Sequence, residues 1–394
     1  MSRIRIKYNI EGLKRSQSSN FGKAYQVCST SVMDTIADPD ITFDEKGRSN
    51  YFHQYVEYDN QVKCKLSNQT YSYDRIITEI KQSNRNNKYD CIIGISGGVD
   101  STYLCLLAAR ANLRVLCIHF DNGWNSELAV SNIQGIISHT GFEFYSYVID
   151  WNEFRDIQLA YFKAGVIDLE AVTDIAIFSA LNKLARKFNI RTVLDGRNGK
   201  TELILPPSWI NKDPGNLRNI HSRFGTLPIR KYPLESPLKE RAQNFRFQLH
   251  NIPLLEYIEY NKEEAKNQII SEFDWRDYGG KHYESVFTRF YQGYILPEKF
   301  NVDKRKAHLS NLIFAGQISR QEALKNLESP IYPITQLEDD FPFVIKKLGF
   351  TETEFYNYID SPSQPHSTFG QTLPIEQYYP ILKPLKNLYR LIKR

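Results

Sequence analysis

Residues Cys91 to Arg110, CIIGISGGVDSTYLCLLAAR, constrain the rest of this chain more than any other stretch. Cys91-Ile92-Ile93-Gly94-Ile95 is a short apolar run of strand length and largely β-branched character. It breaks at Ser96-Gly97-Gly98-Val99-Asp100-Ser101. From Thr102 to Arg110 the residues are mostly good helix formers, with Leu104, Leu107 and Ala108 at helical spacing. Strand, glycine turn and helix together aim backbone N–H groups and a positive helix end at an anion. Gly97 and Gly98 leave room for a phosphate to approach the main chain, and Ser96 and Ser101 add hydroxyls. A carboxylate beside a phosphate is repelled unless a divalent cation lies between them, so Asp100 is a candidate Mg²⁺ ligand. A turn that needs glycine for geometry alone has no use for two serines and an aspartate. The loop is not a Walker A loop, because no lysine follows the glycines.

From Lys88 onward strand and helix patterns alternate. Strands are predicted at 91–95, 114–120, 144–149 and 191–194, and helices at 125–140 (closed by Gly141), 152–163 and 173–188. The fold class expected is α/β, a doubly wound parallel sheet. In such sheets ligands sit beyond the C-terminal strand ends. That rule sets Ser96–Ser101 beside His119-Phe120-Asp121-Asn122-Gly123. Asp121 and Asn122 are then candidates for adenosine recognition or metal contact, or else a turn chosen for Asn-Gly geometry. His119, inside the strand, reads more simply as a packing residue than as a catalyst.

Outside this region the patterns differ. Residues 1–88 suggest a small irregular module with short strands and a helix near 72–83, capped by Ser72 or Asp74, with Ile76, Ile77 and Ile80 on one face. The segments 195–209 and 216–233 read as substrate-contacting loops. Beyond Lys262 helices are predicted at 262–272, 281–296, 302–315, 319–328, 338–348 and 351–359. DWRDYGGKHYES (274–285) is either an anion-contacting segment, through Lys281 and His282, or a solvated linker. A length of 394 residues allows two or three domains. The net charge of +5 permits a nucleotide but gives no call for nucleic acid. Lys383, Lys386, Arg390, Lys393 and Arg394 suit the solvated face of a helix. No apolar run approaches the ~20 residues of a membrane span, and MSRIRIKYNI has no signal-peptide core, so a cytoplasmic protein is expected. Five cysteines imply no disulfide framework, and Cys91, Cys105 and Cys117 suit buried thiols.

SGGVDS resembles the PP-loop of the N-type ATP pyrophosphatases. Together VMDTIADPDITFDEKG, ISGGVDS, HFDNGWNSELAVSNI, TDIAI, TELILPPSW, NLRNIHSRFG and the block from DWRDYGGKHYES through residue 323 resemble the N-acetyl sugar amidotransferases of bacterial surface-polysaccharide synthesis. The resemblance implies an enzyme that adenylates an acetamido or carboxyl oxygen on a nucleotide-linked sugar and lets ammonia displace AMP, forming an amidino or amide group, in lipopolysaccharide O-antigen or related glycan synthesis. It implies an ATP site at Ser96, Gly97, Gly98, Val99, Asp100 and Ser101 with His119, Asp121 and Asn122, and Mg²⁺ on Asp100. It implies substrate contacts at Thr173, Asp174, Arg276, Lys281 and His282, with Glu202, Asp100 and Lys281 in catalytic roles. Ammonia would come from a glutaminase and a channel subunit like those of imidazole glycerol phosphate synthase. The implied division is a module at 1–88, an ATP pyrophosphatase domain at 89–260 and a helical substrate or partner region at 261–394. One departure stands out. The family's four-thiolate zinc site would fall at Cys28, Ser31, Ser49 and Phe52, so three ligands are replaced and no zinc is expected. The competing functions are a tRNA-modifying enzyme with the same loop, and a non-catalytic nucleotide-binding scaffold. A tRNA-modifying enzyme would typically bring a cysteine pair and a basic RNA-binding domain, and neither is visible in the sequence.

Overall fold

β1 (Cys91–Gly94) lies at the centre of the sheet, as expected of a strand whose Cys91, Ile92 and Ile93 are fully buried and which therefore needs cover on both faces. The structure, a computed structural model, describes residues 4–14, 24–67, 72–280 and 283–372. Among these residues five parallel strands run in the order β3-β2-β1-β4-β5, with β2 Val115–Asp121, β3 Glu143–Val148, β4 Thr192–Asp195 and β5 His250–Pro253. Cys91 registers with Val115 on one side of β1 and Ile92 with Val193 on the other. The predicted strands shift by about one residue, within the usual spread of element ends.

Helices α1 (Asn50–Ser67), α2 (Tyr73–Ser83), α3 (Val99–Arg110), α4 (Glu127–Thr140), α5 (Trp151–Ala164) and α6 (Ala171–Lys187) follow in chain order. They are succeeded by α7 (Pro214–Phe224), α8 (Lys262–Phe273), α9 (Arg305–Phe314), α10 (Arg320–Glu328), α11 (Ile334–Leu348) and α12 (Glu352–Asp360). One sheet face, through Cys91, Ile93, Val115 and Cys117, packs on residues of α2, α3, α4 and α8. The other, through Ile92, Leu116 and Ile118, packs on Leu184 and Ala185 of α6. Helices on both faces of a parallel sheet make this the doubly wound α/β fold. The strongest local signals act as the sequence suggests. Ser72 caps α2, whose Ile76, Ile77 and Ile80 are buried, and Gly141 closes α4 at φ +66°.

Among the elements not foreseen, three bear on the site's surroundings. β5 is a four-residue edge strand ending in Pro253, too short and too exposed to alternate. α1 buries only Tyr51, Tyr55 and Val62, and most of its other residues are polar. α7 runs into the stretch 216–233 read as loop; Asp213 caps it, accepting from Asn216 N at 2.7 Å, and Pro214 takes the first turn. The segment after α7 is held by carboxylates of α5. Asp156 accepts from Thr226 and Leu227 N–H groups at 2.9 and 3.0 Å, and Glu153 from those of Arg230, Lys231 and Tyr232 at 2.8–2.9 Å.

Met33, Ala37, Ile41 and Tyr51 belong to the same apolar cluster as α5 and the helix running from Val286 to Phe300. That helix starts later than predicted, because Ser285 caps it by accepting from Thr288 N at 3.3 Å, and it passes through a π turn at Tyr291–Ile295. The early segment is also tied to α9 and α10. Asp34 pairs with buried Lys306, Ser310 Oγ accepts from Val32 N at 3.2 Å, and Arg320 donates to Ser31 O at 2.9 Å. Among the described residues no helix is long and apolar enough to cross a membrane. The basic positions from Lys383 onward lie outside the described residues.

Candidate functional site

The turn between β1 and α3 is closed by its own side chains. Ser96 Oγ accepts from Gly98 N at 3.2 Å, and Ser101 Oγ accepts from Ser96 N at 3.4 Å and donates to Gly98 O at 3.2 Å. Gly97 sits at φ +82°, and a Cβ there would lie 2.9 Å from the Ala129 carbonyl of α4. Only glycine meets both conditions. From above, Trp275 Nε1 donates to Gly97 O at 2.8 Å. Asp100 stands in the first turn of α3, and Tyr260 donates its hydroxyl to Asp100 Oδ1. The N-terminal start of α3 is suited to an anion of the phosphate kind.

At the end of β2, Asn125 Nδ2 donates to His119 Nε2 at 3.0 Å, so Nδ1 of His119 carries the proton and donates to Ile95 O at 3.0 Å. Asp121 Oδ1 accepts from Gly123 N at 2.8 Å and from Asn125 Nδ2 at 3.0 Å, which is the local turn geometry. Asn122 Oδ1 accepts from Trp124 N at 3.1 Å, and its Nδ2 reaches Thr173 Oγ1 at 3.4 Å. The turn after Asn122 is then bridged to the C-terminal half, where Ser126 N donates to Glu284 O and Val286 N to Trp124 O at 2.9 and 2.8 Å.

Two adjoining cavities open at these strand ends. The smaller, about 530 Å³, is lined by Ser96, Gly98, Val99, Asp100 and Ser101, with Arg197, Glu202, Lys262 and Lys266. The larger, about 1540 Å³, takes in Ser96, His119, Asn122, Thr173, Asp174 and Glu202. They share Ser96, Asp195–Arg197, Glu202, Gly279, Gly280 and Glu284. Of the residues singled out in the sequence, these walls gather the turn, His119, Asn122, Thr173, Asp174 and Glu202, while Asp121 lines neither. Arg276 is also elsewhere. It is exposed and donates to Ser131 on α4 at 2.9 Å, and its N–H donates to Asn132 Oδ1. Lys281 and His282 lie outside the described residues.

Several wall residues had no motif to announce them. Asp174 pairs with Lys212 at 2.9 Å. Burial works against the Lys212 charge, but Asp174 outweighs it and the pKa is raised. Asp168 is pushed up to about 7, first by burial and then by Asp174 nearby, although it accepts from Asn211 N at 2.7 Å. Glu170 accepts from Gln292 Nε2 at 3.0 Å, with Lys304 3.8 Å away. Arg197 and Lys212 are lone basic residues within polar loops, while Trp275 and Tyr278 fall inside the 274–285 segment already noted.

At the position of the implied zinc site, Cys28, Ser31 and Ser49 are all fully buried and still converge. Burial opposes ionisation of Cys28, but hydroxyls of Ser31, Ser49 and Thr30 outweigh it and bring the thiol down to about 7. Ser49 N also donates to Cys28 Sγ at 3.3 Å, and Phe52 turns to Phe314 with ring centroids 5.7 Å apart. One thiolate among hydroxyls does not fit zinc. Mg²⁺ is a different case. It binds through one or two carboxylates together with phosphate oxygens and water. Among the described residues no group of three or more His, Cys, Asp or Glu could hold a metal. Asp100 and Glu202 on one cavity wall fit the smaller requirement of a phosphate-bound Mg²⁺.

Residues 284–381 match the family model described as the LPS biosynthesis protein WbpG-like, C-terminal domain. No curated protein matches the chain's sequence. Among the solved structures that resemble part of it are two synthetases. One is an NH3-dependent NAD synthetase from Campylobacter jejuni, 18% identical over 51% of this chain and 83% of that one, with a TM-score of 0.28. The other is an NMN synthetase from Francisella tularensis, 13% identical over 51% of this chain and 91% of that one, also with a TM-score of 0.28. Superpositions this loose carry no weight for activity.

Proposed function

We propose that this chain, whose residues 284–381 match the model of the WbpG-like C-terminal domain of lipopolysaccharide biosynthesis, is an ATP-dependent amidotransferase acting on a nucleotide-linked N-acetyl sugar. The observation that carries this reading is a shared wall. Ser96 of the turn lines the same large cavity as Glu284, Ser285, Thr288, Gln292 and Lys304 of the matched segment, and Gly98, Val99, Asp100 and Ser101 line the adjoining smaller cavity, whose wall also includes Glu284. A loop built for phosphate and a domain of glycan synthesis thus enclose one space.

In the proposed reaction the acetamido oxygen attacks the α-phosphorus of ATP, the α–β phosphoanhydride bond breaks, and pyrophosphate leaves. Ammonia then adds to the activated carbon, loses a proton, and AMP departs with the oxygen, leaving an amidine. The turn and the start of α3 receive the departing pyrophosphate, and Asp100 with Glu202 would hold Mg²⁺, whose charge offsets that of the phosphates. His119 and Asn122 shape the nucleoside side, with Asp121 holding their turn. Thr173, Asp174 and Lys212 face the acceptor. Lys281 and His282, next in the chain to Gly279 and Gly280 of both cavity walls, are proposed for the anionic groups of the substrate. Enclosure keeps water from the activated carbon. The ammonia source is proposed to be a glutaminase with a channel-forming partner, because only the unprotonated amine is a nucleophile and at neutral pH it is scarce in solution. The reading involves neither nucleic acid nor insertion into a membrane, and it puts the protein in the cytoplasm.

The test is pyrophosphate and AMP release by the purified chain with ATP, Mg²⁺, a panel of nucleotide N-acetyl sugars and ammonium salt. Turnover is expected with ammonium at raised pH and not with glutamine. Pyrophosphate release indifferent to every sugar would overturn the substrate class, and glutamine-dependent product from the chain alone would overturn the partner.

A further inference from the structure

Tyr260 reaches the phosphate turn from the far side of the chain. After β5, a short turn at Leu254–Tyr257 buries Leu254 and Leu255 and carries the main chain under α3. The Tyr260 ring is 3% exposed and packs against Tyr103 of α3 with centroids 5.9 Å apart. Its hydroxyl donates to Asp100 Oδ1. The residue is itself held. Gln317 follows Gly316, whose φ of +68° ends α9, and its side chain brackets the peptide after Tyr260. Gln317 Nε2 donates to Tyr260 O at 3.3 Å, and its Oε1 accepts from Lys262 N at 3.2 Å. Gln317 belongs to the WbpG-like domain.

We propose that Tyr260 is the positioning residue for the Asp100 carboxylate, fixing its rotamer and so the direction in which it meets a divalent cation on nucleotide phosphates, with Gln317 holding Tyr260 in register. An aspartate in a first helical turn has several staggered rotamers open to it, and only a fixed partner selects one. A phenol–carboxylate hydrogen bond is charge-assisted and among the stronger side-chain contacts. This inference rests on reading Asp100 as the phosphate-side carboxylate. It adds a residue whose effect passes through Asp100 rather than through substrate, and a route by which the C-terminal domain reaches the turn.

The experiment uses the full chain and Mn²⁺ as a spectroscopic probe, titrated by electron paramagnetic resonance in the presence of α,β-methylene-ATP. Tyr260→Phe removes one oxygen and leaves the ring on Tyr103. The expected result is roughly tenfold weaker Mn²⁺ binding to the nucleotide complex, the loss of one charge-assisted hydrogen bond, with a melting temperature near wild type. Gln317→Leu should weaken Mn²⁺ in the same direction but less, and the double variant should be no worse than Tyr260→Phe alone, because one residue works through the other. Mg²⁺ dependence of pyrophosphate release should shift in parallel. Wild-type Mn²⁺ affinity in Tyr260→Phe, or full additivity of the two substitutions, would overturn the proposal. The binding titration needs no acceptor, so a chain that binds Mn²⁺-nucleotide but releases no pyrophosphate with any sugar would refute the proposed function and leave the positioning role standing. A wild-type chain that binds no Mn²⁺ with nucleotide would overturn both.

Discussion

Gly97→Ala is the sharpest perturbation of the phosphate turn. Alanine at φ +82° costs about 1–2 kcal/mol in backbone conformation alone. Its Cβ would also stand 2.9 Å from the Ala129 carbonyl, backbone of a packed helix that cannot swing aside. The turn cannot retreat either, because Trp275 holds Gly97 O from the opposite side at 2.8 Å. Giving way means losing that buried bond, worth about 1–3 kcal/mol when a partner is left unsatisfied. The total is roughly 2–5 kcal/mol, which in a chain this long lowers the melting temperature by roughly 2–6 °C. The control is Gly141→Ala, at φ +66° with nothing within 4 Å of the new Cβ. It carries the conformational cost without the collision, so a loss of only about 1–3 °C and unchanged activity are expected. Scanning calorimetry and ATP-dependent pyrophosphate release, run on both variants, separate the terms. If Gly97→Ala melts no lower than Gly141→Ala and turns over normally, the clamped-turn account is wrong.

Asp100→Asn keeps an acceptor for Tyr260 but removes the charge. AMP formation should fall at least roughly a hundredfold with little change in melting temperature, since charge stabilisation at a reacting phosphate is commonly worth that much; near-normal turnover sinks its assignment. Burial holds His366 near 4, where its Nε2 accepts from Asp168 N. The unfolded chain takes up that proton near 6.5, so this contribution is intact above 6.5 and is lost as pH falls towards 4, with a ceiling of about 3 kcal/mol. Denaturant midpoints at pH 5 and 7.5 should differ less in His366→Gln than in wild type. Asp168, held up at about 7, works oppositely: its contribution is present below about pH 4 and lost as pH rises through 7, so Asp168→Asn should raise the melting temperature at pH 8 and not at pH 4. Purified protein should contain no stoichiometric zinc, and chelators should leave its melting temperature alone; elemental analysis finding one zinc per chain refutes this.

The parallel sheet and the grouping of Ser96 with His119 and Asn122 were legible because strand order and chain direction alone decide which loops meet at the C-terminal ends, whereas Thr173 came in only through the resemblance. Side-chain direction was less so. Trp275 and Arg276 are neighbours in one polar segment, yet Trp275 turns in to Gly97 while Arg276 turns out to Ser131. Charge made Arg276 the candidate, whereas burial made Trp275 the contact. Tyr260 carried no signal, since a tyrosine beyond an irregular edge strand reads as core until its partner is known. α1 and β5 escaped for a related reason, as their order comes from tertiary packing and not from any period of their own.

The fastenings of the phosphate turn have a consequence for how this protein is made. Tyr260 grips Asp100 from 160 residues downstream, and Trp275 grips Gly97 from 178. A ribosome delivers the strand, glycine turn and helix early, but the pieces that set their geometry emerge only after β5. Until then β4 is an open sheet edge and Asp100 lacks the hydroxyl that orients it. The nascent chain can collapse around β1 and α3, but the turn acquires its working shape only once the C-terminal half has docked. Assembly order thus works as a safeguard: an unfinished chain has no organised turn at which the proposed ATP chemistry could run.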